Sequence, residues 1–205
     1  MYYFSVENEG IEEVIIKKSR FIGYVAPVYS VENVENILTL TREKWPQARH
    51  YCYAYILKNG IERYSDDGEP SGTAGVPILS VLRNNQVENV LCVVTRYFGG
   101  TLLGAAGLVR AYSQAAALAL QSAGIKRLDL CIHLKITCDY SYWGNIEHKC
   151  LQQDIIVENI EYLDMVKATI FCPVNYEASF TNKIISLSNG TAQISSYEKL
   201  YKSLS

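Results

Sequence analysis

The residue types most able to do chemistry lie in one stretch, Val93-Val94-Thr95-Arg96-Tyr97-Phe98-Gly99-Gly100-Thr101-Leu102-Leu103-Gly104-Ala105-Ala106-Gly107-Leu108-Val109-Arg110. An apolar, β-branched run leads into Gly99-Gly100, and an Ala-rich stretch follows Gly104. That pattern reads as a strand, a glycine-rich turn and a helix start. Glycine permits positive φ and close backbone approach. The N–H groups at a helix start point outward and carry partial positive charge. Together they form a cradle for an anion. Arg96 falls at the strand end and Arg110 about two turns into the helix, where guanidinium groups would add bidentate contacts to a phosphate or carboxylate. The candidate anion- or nucleic-acid-binding set is therefore Arg96, Tyr97, Gly99, Gly100, Gly104, Gly107 and Arg110. The spacing matches neither the P-loop nor the dinucleotide fingerprint. The same glycines read equally well as a means of packing an Ala-rich helix closely on a sheet.

A second cluster precedes it, Ser65-Asp66-Asp67-Gly68-Glu69-Pro70-Ser71-Gly72-Thr73-Ala74-Gly75, with His50 upstream. His50, Asp66, Asp67 and Glu69 form an accessory cleft set. The three carboxylates suit a hard cation, but pairing with Arg96 or Arg110, or capping the next helix, is the favoured role. His50 as a catalytic base would need a nucleophile and an orienting carboxylate, for which only Asp66, Asp67 and Ser71 are near in sequence. His50-x-Cys52 and His148-x-Cys150 supply too few ligands for zinc. No catalytic residue, metal or cofactor is expected, and an enzyme is the less favoured reading.

These motifs sit in a chain of 205 residues that is 49% hydrophobic and 20% charged, which excludes disordered and collagen-like classes. With 19 Lys plus Arg against 21 Asp plus Glu, the net charge of -2 excludes a bulk polycation, though not a local basic patch. Residues 1–128 carry 13 basic and 12 acidic side chains, and residues 129–205 carry 6 and 9. The acidic second part is thus the weaker candidate for nucleic acid unless its charges segregate by face. Tyrosine outnumbers phenylalanine 16 to 5. Half-buried strands account for most of that, and base- or peptide-stacking surfaces for the remainder. The six cysteines make no C-x-x-C pair and read as reduced and structural. Residues 1–7 have no secretory pattern, and the apolar stretch Leu102–Leu120 is interrupted by Arg110, so a cytoplasmic protein without membrane spans is expected.

The positioning elements follow from periodicity. Strands are expected over 11–17 and 20–28 as a hairpin, 49–57, 61–65 after the Asn59-Gly60 turn, and 89–98. Helices are expected over about 31–44 with Ser30 as N-cap, 76–84, and 104–122 ending at Gly124. After Lys126-Arg127 the pattern restarts. Strand 130–138, helix 140–153, strands 155–162 and 165–174, helix 176–188 and strand 191–201 give βαββαβ, the ferredoxin-like order. The expected fold is α+β with two domains: 1–127, a β-sheet backed by helices, and 128–205, ferredoxin-like.

His50-x-Cys52-x-Ala54-Tyr55, the acidic glycine-rich loop 65–75, and Thr95-Arg96-Tyr97-Phe98-Gly99-Gly100 with Leu103 to Tyr112 resemble the IMPACT family, in particular its bacterial YigZ branch. The match covers about residues 15–120. Ala106 departs from it, standing where the family usually has glycine. The resemblance implies a first domain like the second domain of a small-subunit ribosomal protein. It implies a second domain like the last domain of elongation factor G. Eukaryotic members resemble regulators of an initiation-factor kinase and carry an extra N-terminal partner-binding domain. This chain begins at the IMPACT-type domain, so that role is not expected of it. The expectation is a non-enzymatic, translation-linked binding or regulatory protein contacting RNA or a ribosome-associated protein through an anion-binding cleft. The alternative is an enzyme or sensor for a small phosphorylated or otherwise anionic metabolite.

Overall fold

The computed structural model describes residues 1–153 and 155–204. It is α+β, with five helices and two sheets among the described residues. The chain forms two compact units. One is Phe4–Lys126, and the other joins Met1–Tyr3 to the residues from Arg127 onward.

Strand β1 (Tyr2–Val6) precedes the other elements and is not among the strands that periodicity marks. In the first unit, β2 (Gly10–Ile16) and β3 (Ser19–Pro27) form a hairpin around Lys17 and Lys18. Both lysines take left-handed φ, 45° and 66°, as a tight hairpin turn demands of its central residues. Helix α1 (Val31–Lys44) follows, its first turn capped by Ser30 Oγ, which accepts from Asn33 N at 3.1 Å. Then come β4 (His50–Ile56), β5 (Glu62–Ser65), α2 (Gly75–Asn84), β6 (Val90–Tyr97) and α3 (Ala105–Ala123). The sheet is antiparallel throughout, in the order β2-β3-β6-β4-β5.

Strand β6 is buried from Val90 to Arg96, which explains its unbroken apolar run. Val90, Cys92 and Val94 pack with Ile78 of α2 and Ala111, Tyr112, Ala115 and Ala119 of α3. Leu91 and Val93 face the other way, toward Val34 of α1 and the rings of Tyr51 and Tyr55. The Ala-rich stripe lets α3 lie almost on the backbone of the hairpin. A Cβ on Gly10 would come within 2.2 Å of Ala119 O, and one on Gly23 within 2.4 Å of Ala115 O. Close helix–sheet packing therefore falls to Gly10 and Gly23, and the glycines between β6 and α3 are left for other tasks.

The second unit is built from β7 (Ile125–Cys138, which enters this unit at Arg127), α4 (Tyr140–Gln152), β8 (Ile156–Tyr162), β9 (Val166–Pro173), α5 (Glu177–Leu187) and β10 (Gln193–Lys202). The sheet runs β10-β7-β9-β8 with antiparallel neighbours, the ferredoxin-like arrangement. Residues of one parity on β7 and β9 (Ile132, Leu134, Ile136, Val166, Ala168, Ile170) form a core with Trp143 and Ile146 of α4 and Phe180 and Ile184 of α5. The opposite face carries no helix of this unit. Strand β7 begins five residues earlier than periodicity suggests, because Leu130 N reaches the Met1 carbonyl at 2.9 Å and β1 extends the same sheet. Among the described residues, no helix is long and apolar enough to cross a membrane.

Candidate functional site

At the end of β6 the strand's alternation points Arg96 toward the α2/α3 side. There it meets Glu69 from the acidic loop. Arg96 Nη1 lies 2.5 Å from Glu69 Oε1, with side chains 6% and 4% exposed. The same oxygen accepts from Tyr112 Oη of α3 at 2.8 Å. Burial, with the Cys52 thiol and the Glu69 carboxylate nearby, holds the Tyr112 phenol far above its ordinary range, so it stays a donor. Arg96 Nη2 reaches Ser19 Oγ at 3.4 Å, and its plane sits 5.2 Å from the Phe21 ring centre and 5.5 Å from that of Phe98. Among the described residues, Arg96 Nε is buried without a hydrogen-bond partner. A buried guanidinium donor left unmatched is costly.

The other acidic residues shape the loop. The Asp66 carboxylate accepts from Gly72 N, Ala74 N and Gly75 N at 2.8, 3.0 and 2.8 Å, tying off the loop and the start of α2. Asp67 Oδ2 accepts from Tyr51 N at 2.7 Å and its Oδ1 from Arg42 Nη2 at 3.2 Å. His50 Nδ1 is 2.8 Å from the Asp67 carbonyl. That oxygen only accepts, so Nδ1 carries the proton, and Nε2 turns toward Glu69 Oε1 at 3.8 Å. His50 bonds the loop backbone here, with no bond to Ser71. Cys52 is no nucleophile, since it donates to Asp66 O at 3.0 Å and burial raises its thiol to about 12. Among the described residues no three His, Cys, Asp or Glu side chains converge as metal ligands do.

Above this network opens a cleft of about 300 Å³, lined by Arg49, His50, Glu69, Arg96, Phe98 and Leu102 together with the α3 start at Gly104 and Ala105. Gly104 is the N-cap, with φ 72° and, among the described residues, no side-chain capping bond, and it lines the cleft with Ala105 at the start of a 19-residue helix, whose first N–H groups have no intrahelical partner. Arg49 stacks 5.3 Å from the Phe98 ring centre, and among the described residues no carboxylate lies within 4.0 Å of it.

Arg96, Gly104, His50 and Glu69 line the same cleft. Asp66 and Asp67 stand behind the cleft wall as loop ties. Gly100, at φ 83°, supplies the turn conformation, and a Cβ on Gly107 would come within 3.0 Å of Leu103 Cβ. Gly99 serves another purpose: a Cβ there would lie 2.0 Å from the Lys18 carbonyl carbon. Tyr97 points away and donates to Pro46 O at 3.0 Å. Arg110 is exposed and outside the cleft, because helical spacing places it opposite the buried stripe of Leu108, Ala111, Tyr112 and Ala115. The cation that joins Arg96 is Arg49. It stands one residue before His50 and was legible only through that adjacency. Tyr112, Phe98 and Ser19 were also missed, since none has a spacing that marks it.

An antiparallel sheet with α2 and α3 on one face and α1 on the other, with a ferredoxin-like unit following it, defines a two-domain α+β protein whose buried Arg–Glu–Tyr network floors a cleft at a helix start. The Impact N-terminal domain matches residues 17–120, and a domain of unknown function, DUF1949, matches residues 136–191. The chain belongs to the IMPACT family. It is 33% identical over 201 residues to the IMPACT family member YvyE of Bacillus subtilis (strain 168), covering 97% of this chain and 93% of that one. It is 35% identical over 188 residues to YigZ of Escherichia coli (strain K12), covering 90% and 92%. A solved structure described as a hypothetical protein superposes with a TM-score of 0.63 at 32% identity, covering 96% of this chain and 98% of that one. Protein IMPACT of Rattus norvegicus matches over 95 residues at 34% identity, 43% of this chain and 29% of that one.

Proposed function

We propose that the protein is a translation-linked binding protein, acting without catalysis, whose cleft takes a phosphate of RNA exposed on a ribosome or a ribosome-associated partner. One observation carries the reading: the uncapped start of α3 and the unpaired Arg49 meet in one cleft beside a buried Arg96 whose Nε has no acceptor. An anionic oxygen there would gain helix N–H donors and a guanidinium together. Glu69 already offsets one charge on Arg96, so Arg49 and the helix start carry the net attraction. Phe98 offers a ring beside them for a base.

The test is ribosome co-sedimentation and anisotropy with labelled single-stranded RNA over a salt series. Binding should weaken steeply with salt, and Arg49→Ala should weaken it and flatten the slope by about one counterion. Absence of association at every salt concentration discards the proposal. The cleft's volume also suits a small phosphorylated metabolite. That ligand would raise the unfolding midpoint in a nucleotide and phosphate panel, whereas RNA binding alone leaves the panel flat.

A further inference from the structure

The cleft at the start of α3 has a buried polar floor and an apolar rim. The floor is Arg96 and Glu69, with side chains 6% and 4% exposed. The rim is Leu102, 82% exposed, and Phe98, 39% exposed. Three kinds of donor line it: the helix start at Gly104 and Ala105, the guanidinium of Arg49, and Arg96, whose Nε has no partner among the described residues. Asp66 is held by the N–H groups of its own loop, and Asp67 by Tyr51 N and Arg42.

The charge in the cleft is set by two guanidinium groups against one carboxylate. The helix start adds roughly half a positive charge, so an anion meets about 1.5 positive charges in all. A diester within an RNA chain, or a carboxylate, brings a single negative charge and two free oxygens. A phosphomonoester brings about 1.5 to 2 negative charges at pH 7 and three acceptor oxygens, one for each kind of donor. Shape points the same way. A phosphate inside a chain carries a sugar on each side. To touch Arg96, such a strand would have to enter and leave a cleft of about 300 Å³ past Leu102 and Phe98. A terminal phosphate enters once, tip first.

Resting on the anion-binding reading above, we infer that the cleft selects a terminal phosphomonoester over the diester of a continuous backbone. The oxygens go to the α3 start, Arg49 and Arg96, and Phe98 and Leu102 cover the nucleoside that carries them. An RNA end and a free nucleotide share this chemistry.

The test uses the full chain and one single-stranded RNA of about ten nucleotides, labelled on an internal base and read by anisotropy. It is made with a 5′-phosphate, with a 3′-phosphate, and with hydroxyls at both ends. A hydroxyl-ended strand one nucleotide longer controls for added charge. One phosphorylated form should bind about tenfold or more tighter than both hydroxyl-ended strands, the effect of a charge-assisted contact. Arg49 is exposed, and Arg49→Ala should erase that preference, whereas Arg110→Ala, also exposed but outside the cleft, should keep it. Competing uridine monophosphate separates the sources. Displacement at the concentration of unlabelled phosphorylated strand marks a free nucleotide, and displacement only in large excess marks the RNA end. Equal affinity for phosphorylated and hydroxyl-ended strands overturns the inference and leaves the RNA reading in place. If no strand binds at any salt concentration, the RNA reading fails, and uridine monophosphate alone decides. A rise in unfolding midpoint that Arg49→Ala abolishes keeps the monoester site, and a flat midpoint overturns it.

Discussion

Tyr112 and Arg96 share one acceptor. The phenol from α3 and the guanidinium from β6 both donate to Glu69 Oε1, at 2.8 and 2.5 Å. Three elements are thereby pinned at a single buried atom beneath the cleft.

Breaking that junction should be expensive. Arg96→Ala leaves Glu69 buried with only Tyr112 to satisfy it, and loss of one partner from a buried pair costs about 3–5 kcal/mol. Glu69→Gln keeps an acceptor for Tyr112 and should cost less, about 1–3 kcal/mol. Urea unfolding of the two variants checks the order, and equal or negligible losses would show that the network is not structural.

Asp66 closes its loop through three backbone donors. Asp66→Ala orphans all three and should destabilise by about 2 kcal/mol. Hydrogen exchange should accelerate at Gly72, Ala74 and Gly75 while β6 stays protected, and uniform protection would contradict this role.

Adjacent glycines should respond differently. Gly99→Ala drives a Cβ into the Lys18 backbone, where nothing flexible can yield, and should cost at least about 3 kcal/mol. Gly100→Ala meets open space and carries only left-handed strain, about 1 kcal/mol. Paired thermal melts decide, and a reversed order would refute the hairpin contact.

The cysteines give a pH dependence. Burial raises the thiols of Cys52, Cys150 and Cys172 to about 12 and that of Cys131 to about 11, from an ordinary 9.0. Above pH 9 the unfolded chain loses these protons while the folded chain keeps them. The folded state then binds more protons, so stability falls as pH rises, progressively from about 9 toward 12. The urea midpoint should drop over that range, and all six thiols should resist a thiol reagent at neutral pH until denaturant is added. A flat midpoint would remove the linkage.

Most elements were legible because their signals are local. Ser30 caps α1 through its own side chain, and the βαββαβ order follows from alternation and turns alone. Strand β1 was not, since Tyr2-Tyr3-Phe4-Ser5-Val6 has no internal mark of pairing with a strand more than 120 residues away. The site was half legible. The glycine turn and Arg96 announce themselves, but Arg110 needed its helical phase compared with Leu108 and Tyr112. Arg49 needed the β4–β6 register, which sets His50 opposite Arg96.

Because Met1–Tyr3 belongs to the same compact unit as the residues from Arg127 onward, that unit is stitched from two distant pieces of polypeptide. During synthesis Met1–Tyr3 emerges long before the strand it must join, and stays unsatisfied until that strand has followed it. Removing Met1–Tyr3 would therefore injure a unit whose other residues lie more than a hundred positions away.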